Sequence, residues 1–422
     1  MSRRVVVTGL GVVSPNGVGI PAFLHAIQNG ISGLKFVPQY KELNFNSQVC
    51  GVPPFELEDL KGYLSDVAMY GLKASTIGYA IKAAADAWLD AGNTLESNEI
   101  RWETGCVFGN SVADTEAMKR VISYVDAKQA RKLGSRMVEQ LMNSGATAYI
   151  SGLLGLGNRV ITNSAACATG SQAVLMGYEY IKHGIAKRMV VGSNEYIDPY
   201  IFGAFDSMRV LARKFNDEPE KASRPMSATA NGFIPGSGAG ALVIEDLEFA
   251  LARNATIYAE ILGGDTNSGG QRDGGTMTAP NPKGIASCIT NALHNSGVLP
   301  QEIDLISGHL TATAADKMEI ESWASTLNRR GDEFPLTNSL KSMIGHCLSA
   351  AGSIEIVAVI LQIMHKFVHP NINLEDPNPD ITNIVSVNSL PTQRINKEIN
   401  IAAKANFGFG DVNTCLIFSK FK

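Results

Sequence analysis

The chain has 422 residues, of which 45% are apolar and 18% charged, with 41 glycines and a formal net charge of −4. This is the profile of a compact α/β protein with many tight turns; it excludes a disordered chain, and the length allows two to three packed units or one large double domain. The lack of a strong basic block argues against bulk nucleic-acid binding, and no apolar run is expected to reach the ~18 residues of a membrane span.

Along the chain, strands and helices alternate. Residues 4–7 and 11–13 read as strands. The apolar start is broken at once by Gly9, Gly11 and Pro15, which favours a first strand over a signal peptide. Residues 21–28 and 69–90 read as helices, 105–108 as a short buried strand and 146–154 as a helix. Val160-Ile161 precedes a small-residue turn and a helix-like run from Ser171 to Met176. Strands follow at 189–192 and 240–245, then a helix at 246–253. The pattern restarts with a strand at 255–262, a helix near 284–295, a strand at 305–307, helices at 316–327 and 349–366, and strands near 384–387 and 399–403. Such alternation predicts a mainly parallel sheet covered by helices.

The sequence also echoes itself. Val160-Ile161-Thr162-Asn163-Ser164 has a counterpart in Pro335-Leu336-Thr337-Asn338-Ser339, and 105–114 has one in 306–316. Two related halves, 1–250 and 251–422, would bring equivalent strand ends to one central site. Gly236-Ser237-Gly238-Ala239-Gly240 looks like a dinucleotide loop, but its glycines run into a strand instead of a helix, so no nucleotide site is expected. The six cysteines are scattered without a CxxC pair, which points away from a zinc site or disulfide framework and toward a reducing, cytoplasmic setting.

Cys167, His309 and His346 each sit in a short turn of small residues. A cysteine at a strand-to-helix turn faces backbone N–H groups and the positive end of the helix dipole, which is expected to lower the thiol pKa. Two histidines nearby could handle protons or stabilise charge.

At these residues the sequence resembles the β-ketoacyl-acyl carrier protein synthases, the condensing enzymes of type II fatty-acid synthesis, on the thiolase fold. The resemblance runs nearly end to end. It rests on Val5–Pro15, on Ala166-Cys167-Ala168-Thr169-Gly170, on His309–Thr313, on Lys341–His346 with Ala350-Ala351-Gly352 and Glu355, and on Asn406-Phe407-Gly408-Phe409-Gly410. It implies an α/β thiolase-like fold of two βαβαβαββ halves layered α-β-α-β-α. It also implies decarboxylative Claisen condensation of an acyl group on Cys167 with malonyl-acyl carrier protein, in fatty-acid or specialised polyene or polyketide-type elongation. The two histidines favour the elongating synthases over the initiating type.

By the same resemblance, His309 and His346 stabilise enolate charge, and the backbone N–H groups of Cys167 and Phe407 form an oxyanion hole. Lys341 supports the electrostatics, Glu355 pairs with it, Thr311 and Thr313 line the malonate arm, and Gly408 belongs to the gating loop. Val112 and Phe205 shape the acyl pocket. No cofactor and no metal are implied. The implied partner is an acyl carrier protein bearing phosphopantetheine-linked acyl and malonyl groups, docking at Arg131, Lys132 and Arg209. A homodimer is usual, a heterodimer possible, and no nucleic acid or membrane partner is implied.

The chain departs from the pattern in places. Leu310 replaces a usual glycine, and the loop is one residue short before Asp316. Arg224–Phe233 lacks the usual acidic and basic residues, Ser237 stands where an acid is usual, and the last motif reads Gly410-Asp411-Val412-Asn413 instead of Gly-Gly-Thr-Asn. These changes keep a second class open, a non-catalytic subunit similar to the chain-length factors. Intact Cys167 speaks against it. Lys119, Arg120, Lys128, Arg131, Lys132 and Arg136, against the single acid Asp126, form a basic patch suited to an acidic carrier.

Overall fold

The computed structural model describes residues 3–95 and 99–422. Ten strands build its main sheet: β1 Val5–Ser14, β2 Thr104–Gly109, β3 Val160–Ile161, β4 Arg188–Glu195, β5 Gly238–Asp246, β6 Ala259–Ser268, β7 Leu305–Ser307, β8 Leu336–Asn338, β9 Ile401–Gly408 and β10 Val412–Ser419. Their order in space is β8-β7-β9-β10-β6-β1-β5-β4-β2-β3, with the two-residue strand Gly17–Val18 folded back on β1. From the β1–β6 junction outward, both halves repeat one arrangement. The first strand pairs antiparallel with the fifth, the fifth antiparallel with the fourth, the fourth parallel with the second and the second parallel with the third. The junction is short: only Val5, Val6 and Val7 pair across it, with Ile261, Glu260 and Ala259.

Helices cover and separate the strands. Ser75–Asp90 (α1) and Gly145–Leu154 (α2) lie on the first half. Thr169–Lys182 (α3) contacts strands of both halves. Pro282–Ser296 (α4) covers β6 and β10 and packs against Ala315–Leu327 (α5). Ala351–His365 (α6) lies beside α3 and also reaches strands of both halves. Helix α6 is largely apolar on every side because nearly all of it is buried, Glu355 being its one charged residue within the buried stretch Ala351–Ile363. The stretch Leu348–His365 is therefore long and apolar enough to cross a membrane, contrary to the expectation that no such run exists, yet 89% of it is buried inside the fold.

The two inner helices cross at their first turns, and glycine makes this possible. A Cβ on Gly170 would lie 2.5 Å from the Ser353 nitrogen, and one on Gly352 would lie 2.5 Å from the Ser171 nitrogen. The turns that lead into these helices carry Cys167 and His346, so the crossing sets the position of the site.

Other expectations need correction. The sheet is mixed, not mainly parallel: each half ends on an antiparallel pair, and β9 and β10 are joined by a tight hairpin instead of a helical crossover. The helix expected over 69–90 is two helices, Asp66–Gly71 and Ser75–Asp90, because Gln140 Oε1 takes the N–H groups of Lys73 (2.8 Å) and Ala74 (3.1 Å) and holds the break open. The strand at 255–262 starts later, at Ala259. Residues 384–387 form no strand: Ile384 and Val385 are buried core residues, but Val385 makes only an isolated bridge to Gly331 before a 3-10 turn.

The crossing predicts a stability effect. Gly352→Val forces a branched side chain against the Ser171 backbone and costs about 1–3 kcal/mol or more, a fall of several degrees in Tm. Gly152→Ala, at a helical glycine with nothing within 4 Å of an added Cβ, leaves Tm unchanged or slightly raised. Thermal denaturation of the pair checks this.

Candidate active site

Cys167 sits in the 3-10 turn Ala166–Ala168 that runs into α3. The turn is strained, with Ala166 at φ 46°. Thr169 braces it: its Oγ1 accepts from the Ala165 N–H (2.8 Å) and donates to the Ala166 carbonyl (2.7 Å). The sulfur faces His346, whose Nε2 lies 3.1 Å away. The His309 and His346 rings meet edge to face with centroids 5.1 Å apart. Thus three residues separated by up to 179 positions converge at one point.

The burial of this point corrects one expectation. Desolvation pushes the Cys167 thiol up, to about 11, and outweighs the opposing pull of Lys341 and of the backbone N–H groups of Phe409 and of Cys167 itself. The resting cysteine is therefore not an acidified thiolate. Burial and then the Lys341 charge hold His346 at about 3, and burial, Lys341, His346 and Lys404 hold His309 well below the usual range. Both imidazoles are neutral at physiological pH.

Behind the histidines lies a fully buried ionic cluster. Glu355 is ion-paired to Lys341 and, at 2.8 Å, to Lys404. All three side chains are no more than 1% exposed. Burial alone would raise the Glu355 carboxyl, but the two lysines overcome it and hold the group at about 2. Burial lowers Lys404, with Glu355 opposing.

The cluster also fixes a tautomer. Ser171 Oγ donates to Asn406 Oδ1 (2.6 Å), and Asn406 Nδ2 donates to Glu355 Oε2 (3.1 Å), so the amide orientation is set. The same NH2 donates to His309 Nδ1 at 3.2 Å, which leaves the ring hydrogen of His309 on Nε2. Among the described residues, His346 Nδ1 is buried without a partner. An unpaired lone pair is cheaper to bury than an unpaired N–H, so His346 also carries its hydrogen on Nε2, donating toward the sulfur.

His309 holds its place despite Leu310 and the shortened loop. Glu319 Oε1 and Oε2 accept the N–H groups of His309 (2.6 Å) and Leu310 (2.7 Å). Asp316 accepts those of Thr311 (2.7 Å), Ala312 (3.1 Å) and Met226 (2.8 Å). Two carboxylates in the first turns of α5 thus clamp the loop, which carries Leu310 at φ 25° and Ala312 at φ 64°.

Cys167, His309 and His346 open on a cavity of about 630 Å³. Val112, Phe205, Thr311, Thr313, Phe407 and Gly408, all singled out from the sequence, line it, and Phe409 lines it too. The second oxyanion donor was expected at Phe407. The N–H that meets the Cys167 sulfur belongs to Phe409, two residues further along at the hairpin tip. The Phe407 ring instead lies 6.2 Å from His309, and the Phe409 ring 6.4 Å from Phe205. Arg209 is exposed between the cavity residues Met208 and Val210, while Arg131 and Lys132 are exposed in the 3-10 turn Ala130–Leu133, outside the cavity lining. The ligand atoms of Cys167, His309 and His346 lie within 4.8 Å of one another. A soft metal ion fits such a trio, as does a nucleophile with two N–H donors.

Sequence reasoning gave no role to Lys404, Asn406 or Glu319. Lys404 did leave a signal: a lone lysine within Ile401-Ala402-Ala403-Lys404-Ala405 must be buried and therefore paired.

Comparisons with known proteins agree with this geometry. Residues 2–250 match the family described as "Beta-ketoacyl synthase, N-terminal domain", and 258–375 match "Beta-ketoacyl synthase, C-terminal domain". A curated relative, 3-oxoacyl-[acyl-carrier-protein] synthase 2 of Coxiella burnetii, is 32% identical over 424 residues, covering 99% of each chain. Among solved structures, the ketosynthase and chain length factor of ishigamide is 28% identical with a TM-score of 0.88, covering 100% of both chains. A type II polyketide acyl-carrier protein in complex with its ketosynthase bound to the hexaketide gives 29% identity and a TM-score of 0.85, also over 100% of both.

The raised thiol predicts a reactivity profile. Among six free cysteines, Cys167 alone lines the cavity and is the least raised. Iodoacetamide, followed by intact-mass and peptide analysis, modifies Cys167 first, with a rate that climbs about tenfold per pH unit up to pH 10 as the thiolate fraction grows. A plateau below pH 8 would show an acidified thiol instead.

Proposed function

The chain belongs to the β-ketoacyl synthase family, and on that premise we propose that it is a 3-oxoacyl-[acyl-carrier-protein] synthase. The observation that carries the reading is the Cys167 sulfur 3.1 Å from His346 Nε2, beside a His309 whose Nε2 hydrogen is free to donate.

In the first half-reaction the Cys167 sulfur attacks an acyl thioester. A C–S bond forms to the acyl carbon, the bond to the carrier pantetheine sulfur breaks, and the proton lost from Sγ ends on the departing sulfur. The exchange is proton-neutral, so a thiol near 11 is no obstacle. Charge on sulfur need exist only in passing, where His346, the Phe409 N–H and the Lys341 field stabilise it. Backbone N–H groups of Cys167 and Phe409 hold the acyl carbonyl oxygen as it gains charge.

In the second half-reaction a malonyl thioester loses CO2. The electron pair of the breaking C–C bond becomes an enolate, and its oxygen takes hydrogen bonds from Nε2–H of His309 and of His346. The enolate carbon attacks the acyl carbonyl, the C–S bond to Cys167 breaks, and a proton from solvent restores the thiol. Neutral imidazoles suit this task, because they keep their donors without titrating. Thr311 and Thr313 line the malonate arm, Val112 and Phe205 the acyl arm. Gly408 supports the nucleophile turn, since a Cβ there would lie 3.1 Å from the Cys167 nitrogen.

The acyl donor is carried by an acidic carrier protein that docks on the basic patch at Arg131 and Lys132 and at Arg209 beside the cavity mouth. Support for a dimer comes from exposed apolar side chains beside the edge strand β3, where Trp102 is 68% and Ile100 55% exposed and both would meet a Cβ on Gly157. Val160 is an exposed residue of the edge strand itself. Val112, exposed and lining the cavity, is where a partner subunit would close it. The halves 1–250 and 251–422 act as the two domains, a division supported by the repeated strand order. Six free cysteines fit a reducing, cytoplasmic setting. A non-catalytic partner subunit has no use for Cys167 and His346 in contact.

The test is one assay with several arms. Purified alone with acyl- and malonyl-carrier substrates, the protein forms 3-oxoacyl product and CO2. Cys167→Ala abolishes acyl transfer. His309→Ala slows malonyl decarboxylation by ~10²–10³ while sparing acylation of Cys167. Arg131→Glu with Lys132→Glu raises KM for carrier-bound but not pantetheine-bound thioesters. No product without a second condensing chain, whose own cysteine is essential, would establish the partner-subunit reading instead.

A further inference from the structure

The hairpin tip between β9 and β10 holds an aspartate, Asp411, in place of the second glycine of the motif. It is 1% exposed and adopts φ 61°. Its carboxylate bonds into an irregular strap, residues 269–281, that connects β6 to α4. Oδ1 accepts the N–H of Asn281 and Oδ2 that of Gln271, each at 2.9 Å. Backbone bonds flank the carboxylate: Gly269 N–H donates to the Asp411 carbonyl (2.9 Å), and Gly410 N–H donates to the Met277 carbonyl (2.8 Å). Asn281 then caps α4 through the Lys283 N–H (2.9 Å) and returns its side-chain NH2 to the Gly269 carbonyl (3.0 Å).

The strap is shaped for this carboxylate. A Cβ on Gly269 would lie 2.2 Å from Asp411 Oδ2, and one on Gly275 would lie 2.7 Å from it. Both walls joined by the clasp face the reacting cavity: Met277, Thr278 and Pro280 on the strap, and Phe407, Gly408 and Phe409 on the hairpin. Most of the strap, residues 270–274 and 276–278, is exposed and has neither helix nor strand. Two charge-assisted bonds to a buried carboxylate are therefore a large share of what holds it down.

We propose that Asp411 is a positioning residue, which clasps the 269–281 strap to the hairpin and so sets the spacing between the two cavity walls that a thioester substrate must pass. This rests on the synthase reading above for its kinetic part only. Asp411→Gly is a clean variant, because glycine fits φ 61° at least as well as aspartate and leaves the turn intact while removing the carboxylate.

The expected result has two parts. Amide hydrogen exchange at Gln271 and Asn281 speeds up at least about tenfold, with Tm and exchange in the central helices unchanged. KM for acyl and malonyl thioesters rises roughly 3–10-fold, with kcat within about twofold, because the wall is loosened while the reacting groups stay in place. Should Asp411→Gly fail to fold, Gly275→Ala wedges the same clasp from the strap side and is expected to act alike. Unchanged exchange at both amides overturns the proposal, as does faster exchange with unchanged KM. If the unmodified protein makes no condensation product, the synthase reading falls, and the exchange data then decide the clasp by themselves.

Discussion

The site depends on one buried interaction, the Glu355 carboxylate held between Lys341 and Lys404. A lone charge at that depth would be prohibitively costly. Removing one partner of such a buried cluster typically costs about 3–5 kcal/mol, because the other charges are left uncompensated. The cluster is also electrostatic machinery. Lys341 opposes the burial that raises the Cys167 thiol and, with Lys404, adds to the burial that keeps both histidines neutral. Through Asn406, Glu355 further decides which nitrogen of His309 bears hydrogen. Charge state and tautomer of the site are thus set by residues that need never touch substrate.

Geometry comes from the repeated half. Each half delivers a short third strand that ends in a turn and an inner helix, and the two helices start against each other at Gly170 and Gly352. The turn of the first half supplies the nucleophile, and that of the second supplies His346. The second strand of the second half leads to His309, and the fourth strand ends at Phe407 and Gly408. A pseudo-symmetric scaffold thus carries an asymmetric set of groups, each from an equivalent strand end.

Much of this was legible in the sequence, for identifiable reasons. Strand–helix alternation and the echo between 160–164 and 335–339 pointed to the halves, and the small-residue turns marked Cys167, His309 and His346. The mixed character of the sheet was not legible, because alternation records order along the chain and not the direction in which the last strand of each half returns. The segment 384–387 misled because burial of a turn leaves the same apolar run as a strand. The thiol was misjudged for a related reason: a helix start is visible in sequence, whereas the desolvation that outweighs it is not. Phe409 was missed as the donor because the motif does not show which N–H the hairpin turns toward the sulfur. Glu319 and Asp316 were invisible as clamps, since backbone N–H groups leave no trace in side-chain patterns.

The central claim is that burial, reinforced by the lysines of the buried cluster, keeps both histidines neutral, and that the cluster fixes the His309 tautomer through Asn406 while the buried, unpaired Nδ1 fixes that of His346. Nitrogen-15 NMR of the protein labelled at histidine, followed from pH 5 to 8, reads this directly. The account predicts that His309 and His346, assigned through their alanine variants, do not titrate in that range and keep hydrogen on Nε2. A midpoint near 6.5 for either ring, or a hydrogen on Nδ1 of His309, would contradict it.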